Sequence, residues 1–141
     1  GETRAAAPLI ERLARAHPAA TILLTHMTAT GRAAGRELFG DRVVQAWLPY
    51  DVPFAVRAFL RHFRPRAGML METELWPNLV AGCAAAGVPL FLVNARLSER
   101  SAARYARVAA LARPMLASLA GVAAQTAAHA ARFAALGAGR T

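Results

Sequence analysis

The sequence predicts an α/β protein built on a doubly wound, Rossmann-like parallel sheet. Three observations carry that expectation. Short apolar runs recur along the chain at Ala20–Thr25, Arg42–Trp47, Ala67–Met71, Val88–Asn94 and Gly121–Gln125. Each is followed by a helix-period pattern, and alternation of this kind implies parallel strands joined by right-handed crossovers. No low-complexity linker divides the 141 residues, so a single domain over 1–141 is expected.

The elements follow in order. Thr3–Ala16 opens as a helix with Leu9, Ile10, Leu13 and Ala14 as its apolar stripe. Thr30–Phe39 is the second helix. Asp51 is placed to cap a third, with Pro53 in its first turn and Phe54, Val56, Phe59, Leu60 and Phe63 turned inward. Pro77–Ala86 forms the fourth helix, and Gly87 stops it. Ser98 caps a fifth that runs to about Leu111, Pro114 restarts the chain as another short helix, and Thr126 caps the last, which ends at Gly137.

Composition narrows the class. An apolar fraction of 56% with only 18% charged residues excludes a disordered chain. The formal net charge of +9 comes from arginine alone, for there is no lysine. Arginine forks suit phosphate and carboxylate, which points to a nucleotide, a nucleic acid or an anionic membrane face; an Ala- and Arg-rich genome would leave the same imprint. The single Cys83 rules out a disulfide framework and suits a reducing compartment. No apolar run approaches the ~20 residues of a membrane span.

Chemistry concentrates at Met71-Glu72-Thr73-Glu74-Leu75-Trp76-Pro77-Asn78. A buried strand there delivers two carboxylates to the start of a helix. Two like charges at a strand end are costly, since desolvation and repulsion disfavour both, and such a cost is more often met at a working site. Simple decoration of a helix start by acids is the competing explanation. The chain also passes at once into a helix, so the strand that should precede it is expected to be missing, with the piece truncated at both ends. If that strand is the central one of order 3-2-1-4-5-6, Glu2, Glu72 and Glu74 would meet at the switch point of the sheet.

Several segments together resemble the 3-deoxy-D-manno-octulosonic acid (Kdo) transferase family: Met71–Asn78, Leu48-Pro49-Tyr50-Asp51, and Asn94-Ala95-Arg96-Leu97-Ser98-Glu99-Arg100-Ser101. Gly1-Glu2, Leu24-Thr25, Met27-Thr28, Thr30-Gly31, Ala124-Gln125-Thr126 and Leu136-Gly137-Ala138 support the likeness, which covers essentially the whole chain. The resemblance implies the N-terminal, acceptor-binding half of a GT-B glycosyltransferase, with the membrane anchor and the C-terminal nucleotide-sugar domain outside it. It implies transfer of Kdo from CMP-Kdo to the lipid A precursor at the cytoplasmic face of the inner membrane, with no cofactor and no metal at the reaction centre.

By that resemblance Glu2 is the general base and Glu72 the second catalytic carboxylate, with Glu74 a weaker substrate-binding choice. Arg96, beyond the fourth of the five predicted strands, is placed to clamp a Kdo carboxylate or a lipid A phosphate. Thr28, Thr30 and Gly31 form a polar loop at a helix start, either an anion site or simply a cap and turn. Asn94 and Ser98 complete the expected substrate-binding set. Arg100 is expected in a surface ion pair, Trp76 and Phe54 in packing, His26 in a loop at the ligand edge, and His17, His62 and His129 on helix surfaces.

Arg57, Arg61 and Arg64 fall at helical spacing, with Arg66 just beyond, and suit either an anionic membrane surface or plain solvent. Two alternatives stand beside the leading one. Another GT-B enzyme, such as a nucleotide-sugar epimerase, would share the fold. A basic nucleic-acid or membrane-adapter module would share the charge, but its phosphate-tracking surface gains nothing from acids in a cleft. It would also need aromatic stacking platforms among the basic residues. No nucleic-acid partner is therefore expected.

Overall fold

The computed structural model describes residues 1–72 and 75–141. Its strands are all parallel and lie in two sheets, within two compact units, Gly1–Leu48 and Pro49–Thr141. The alternation read from the sequence thus yields the predicted α/β class.

The first unit holds α1 (Glu2–Ala16), β1 (Leu23–His26), α2 (Ala29–Phe39), a 3-10 turn (Gly40–Arg42) and β2 (Val44–Trp47). β1 and β2 pair in parallel from Leu23 opposite Val44 to His26 opposite Trp47. α2 is the crossover between them, which two parallel neighbours require. Thr28 starts that helix by accepting the Gly31 N–H at 3.1 Å. Of the stripe expected on α1, Ile10 is buried, Leu9 and Leu13 are half-buried and Ala14 is exposed; Ala6 is buried with Ile10, four residues apart on one face.

The second unit comprises α3 (Pro53–Phe63), β3 (Gly68–Met71), α4 (Pro77–Ala85), β4 (Leu90–Ala95), α5 (Glu99–Arg107), α6 (Ala109–Ala117), β5 (Gly121–Ala124) and α7 (Ala127–Ala135). β4 is central, with β3 and β5 on either side. Central strands lie under helices on both faces and need apolar residues throughout; Leu90, Leu92 and Ala95 are accordingly buried. Phe133, Leu92, Leu97, Leu116, Val56 and Val80 are the largest fully buried side chains. Each contributes about 1.5–3 kcal/mol by leaving water. α3 and α4 approach closely at a glycine, where an added Cβ on Gly82 would stand 2.6 Å from Val56 Cγ1.

Three expectations are corrected here. Phe54 is not a packing residue: it is 71% exposed, because the buried face of α3 is set by Val56 and Leu60, four apart. The break after α5 comes at Val108 rather than near Leu111, and Pro114 lies inside α6 instead of opening a helix. Burial of Ala112 and Leu116 on one face holds α6 through the proline, whose local effect is loss of one N–H and crowding of the preceding turn. Asp51 does not cap α3, whose N-cap is Val52 with no side-chain bond. Its carboxylate serves a different helix.

Candidate functional site

At the carboxyl ends of β3 and β4 the backbone takes two uncommon turns. Glu72 has φ 61° and Asn94 has φ 53°, the left-handed region that residues with a Cβ rarely occupy. Asn tolerates that region better than most residues, whereas Glu does so at a cost of about 1–2 kcal/mol. The Glu72 N–H donates to the Val93 carbonyl at 2.9 Å, extending the β3–β4 ladder into the turn. Asn94 forms the irregularity where the register between β4 and β5 shifts between Val93 and Ala95. Strain at two neighbouring strand ends is the pattern found where side chains are aimed for function.

The turns bring Glu72 and Arg96 together. Arg96 Nη2 donates to Glu72 Oε2 at 3.3 Å, with the carboxylate side chain 23% exposed and the guanidinium side chain 56%. Exposed pairs of this kind add at most about 1 kcal/mol of stability. A guanidinium has five donors and Glu72 engages one edge, so Arg96 keeps donors for a ligand anion. Glu74 lies outside the described residues.

The loop from Arg96 into α5 is held from below. Leu97 is 1% exposed, and α7 engages both of its backbone polar groups. His129 Nδ1 stands 3.1 Å from the Leu97 nitrogen and 2.9 Å from its oxygen. Arg132 Nη1 donates to that oxygen at 2.9 Å, while Nη2 donates to Glu99 at 3.1 Å. His129 is therefore not the surface residue its helical position suggested. The ion pair on this turn is Glu99–Arg132, whereas Arg100 was the residue expected to form one. Ser98 caps α5, accepting the Ser101 N–H at 3.1 Å and donating to the Ser101 hydroxyl at 3.1 Å.

Asp51 organises the other side of this edge. Its Oδ1 accepts the Leu79 N–H at 2.8 Å and its Oδ2 the Asn78 N–H at 3.1 Å, capping α4. The Asn78 amide donates back to the Asp51 carbonyl at 2.7 Å. Two segments that carried the family resemblance, Leu48–Asp51 and Trp76–Asn78, are thus clasped to one another. A signal was present: α4 begins with Trp76-Pro77, and tryptophan cannot cap, so its acceptor had to come from elsewhere.

In the first unit, Glu2 occupies the first turn of α1, where the positive end of the helix favours a carboxylate. Thr28, Thr30 and Gly31 come together at the start of α2. The Thr30 hydroxyl donates to Thr28 Oγ1 at 3.3 Å, and the Thr3 hydroxyl reaches the Gly31 carbonyl at 3.4 Å. The cap and turn role is therefore present at Thr28.

His26 ends β1 instead of lying in a loop, and it is only 5% exposed. Its Nε2 is 2.8 Å from the Gln45 side-chain amide. The amide orientation that satisfies its neighbours has Gln45 donating to His26 and to the Arg32 carbonyl. Burial pushes the His26 pKa below its ordinary 6.5, and the Arg32 charge adds to the shift. The Arg32 guanidinium carbon stands 4.9 Å from the Trp47 ring centroid. In the second unit, Cys83 is buried in α4 and burial raises its thiol pKa, which keeps it an inert packing group.

A family model described as 3-Deoxy-D-manno-octulosonic-acid transferase (kdotransferase) matches residues 1–141. The 3-deoxy-D-manno-octulosonic acid transferase of Bordetella pertussis is 51% identical over 132 residues, 89% of this chain and 30% of that protein. The protein of the same name from Haemophilus influenzae is 39% identical over 137 residues, covering 97% of this chain and 32% of its own length. That of Rickettsia felis is 33% identical over 101 residues, 72% of this chain and 22% of that protein. The chain thus spans about a third or less of the length of these curated relatives.

Proposed function

Because this chain belongs to the 3-deoxy-D-manno-octulosonic acid (Kdo) transferase family, we propose that the full-length protein transfers Kdo from CMP-Kdo to the lipid A precursor. This chain is most of its N-terminal, acceptor-binding domain. The observation that carries the reading is the Glu72–Arg96 pair, formed at adjacent strand ends by the two longest segments that resemble the family. Ligands of open parallel sheets bind beyond the carboxyl ends of the strands, which is where this pair stands.

The chemistry assigns each group a task. Glu2, favoured as a carboxylate at the start of α1, takes the proton of the acceptor hydroxyl. That oxygen bonds to the anomeric carbon of Kdo as the bond from that carbon to the CMP phosphate oxygen breaks. CMP leaves with the electron pair. Glu72 is the second catalytic carboxylate and holds one edge of Arg96, whose remaining donors take a Kdo carboxylate or a lipid A phosphate. Thr28, Thr30 and Gly31 offer an anion contact within the first unit, at the start of α2; Asn94, Ser98 and Glu74 are further substrate-binding residues.

The membrane partner is the anionic inner-membrane surface, at its cytoplasmic face. No helix among the described residues is long and apolar enough to cross a membrane. Phe54, Arg57 and Arg61 are exposed and share one face of α3, with Tyr50 exposed just before it. An aromatic side chain beside two guanidinium groups suits a headgroup layer, where each basic residue contributes about 1 kcal/mol.

The test uses the full-length protein in detergent, with CMP-Kdo and lipid A precursor. Wild type should form product, and Glu2→Ala should lose about 10²–10⁴ of the rate while staying folded. A near-normal Glu2→Ala would move the base to Glu72. A folded wild type that forms no product would overturn the reading.

A further inference from the structure

Arg96 protrudes from a backbone fixed on both sides. Before it, Ala95 is fully buried and its carbonyl accepts the Gln125 N–H at 2.9 Å, while Gln125 Nε2 donates to the Asn94 carbonyl at 3.1 Å. After it comes Leu97, whose side chain is buried and whose N–H and carbonyl both meet α7. Arg132 already presents a donor to the Leu97 carbonyl and stands 3.3 Å from His129 Nδ1. A proton on Nδ1 would oppose both that guanidinium and the Leu97 N–H. The other tautomer leaves Nδ1 to accept the Leu97 N–H; it sets Nδ1 and the Leu97 oxygen, both acceptors, 2.9 Å apart, with Arg132 Nη1 within hydrogen-bond reach of both.

We propose that His129 is a positioning residue for Arg96: by accepting the Leu97 N–H, it fixes the backbone from which Arg96 reaches Glu72 and a ligand anion. The kinetic part rests on the reading of Arg96 given under the proposed function. The geometric part rests on the bonds alone. A rigid base under a long side chain matters because a displacement of about 1 Å at a positioned group lowers rate or affinity by up to about a hundredfold. No histidine spaced 32 residues from a loop would be linked to it by sequence; α7 places it there.

The test compares His129→Ala, His129→Asn and Arg96→Ala, with the His129/Arg96 double alanine variant, in the full-length protein. KM and kcat are measured for CMP-Kdo and for lipid A precursor, and the Arg96 side-chain NMR signals are followed with 15N-labelled arginine. His129→Ala should raise one KM about tenfold and change kcat less than about twofold, as lost positioning of a binding group does. The KM that moves names the anion: the donor's carboxylate or the acceptor's phosphate.

His129→Asn, which keeps an acceptor at the δ position, should restore most of the loss. In the Arg96→Ala background, His129→Ala should add nothing, because two residues acting through one contact are not additive. Independent, multiplying losses would overturn the proposal. Should Arg96→Ala prove kinetically silent, the reading of Arg96 as a clamp fails, and the NMR arm still decides the positioning. Arg96 signals shifted by His129→Ala and restored by His129→Asn uphold it, and unchanged signals refute it.

Discussion

Asp51 caps a helix that begins 26 residues after it: its carboxylate accepts the Asn78 N–H at 3.1 Å, and the Asn78 amide returns a bond to the Asp51 carbonyl at 2.7 Å. A helix start has orphan N–H groups that an acid satisfies well, through both hydrogen bonding and the dipole. This clasp fixes the start of α4.

Asp51→Ala should therefore destabilise the full-length protein by about 1–2 kcal/mol, as loss of a side-chain cap does. Asp51→Asn, which keeps one acceptor oxygen and loses the charge, should fall between. Denaturant midpoints measure both. Equal stability of wild type and Asp51→Ala would show that the clasp contributes nothing.

Asn94 and Glu72 share a left-handed backbone but differ in how well they bear it. Asn94→Ala should cost about 1 kcal/mol, and Asn94→Gly should be close to neutral. Glu72→Gly should gain stability from relieved strain while activity falls, since the carboxylate that holds Arg96 is gone. A Glu72→Gly protein with full activity would remove Glu72 from the site.

His26 links stability to pH. Its folded pKa lies below the ordinary 6.5, so the unfolded chain binds more protons in the window between the two values. The contribution of neutral His26 is complete above about pH 6.5 and is lost as pH falls through the folded value. His26→Gln, which cannot titrate, should flatten the fall in denaturant midpoint between about pH 7.5 and pH 5. An unchanged slope would refute the assignment.

Gly82 tests the packing of α3 on α4. Alanine there places Cβ against Val56 Cγ1, and overpacking of this kind costs about 1–3 kcal/mol even though alanine is the better helix former. Pairing Gly82→Ala with Val56→Ala should recover part of the loss. A Gly82→Ala protein as stable as wild type would show that the helices separate freely.

Features set by short-range physics were legible in the residues alone. Hydrophobic periodicity located the five strands of the described residues and the helices that follow them. Thr28, Ser98 and Thr126 are caps as their spacing foretold, because each bond closes on a backbone N–H three residues on. The family was legible in long motifs such as Met71–Asn78, which the family model matches together with the rest of the chain.

Which distant groups meet depended on packing. Asp51 has two helices within reach of its chemistry, and the nearer one, α3, was the wrong choice. His26 and His129 carry no local sign that one is buried in a strand and the other bonded to Leu97. Their partners lie 19 and 32 residues away, and such contacts form only when packing has paid the entropy of closing the chain between them. A cap is written in four consecutive residues, but the base beneath Arg96 exists only because buried Leu97 and Phe133 fix its loop and α7 in the same unit.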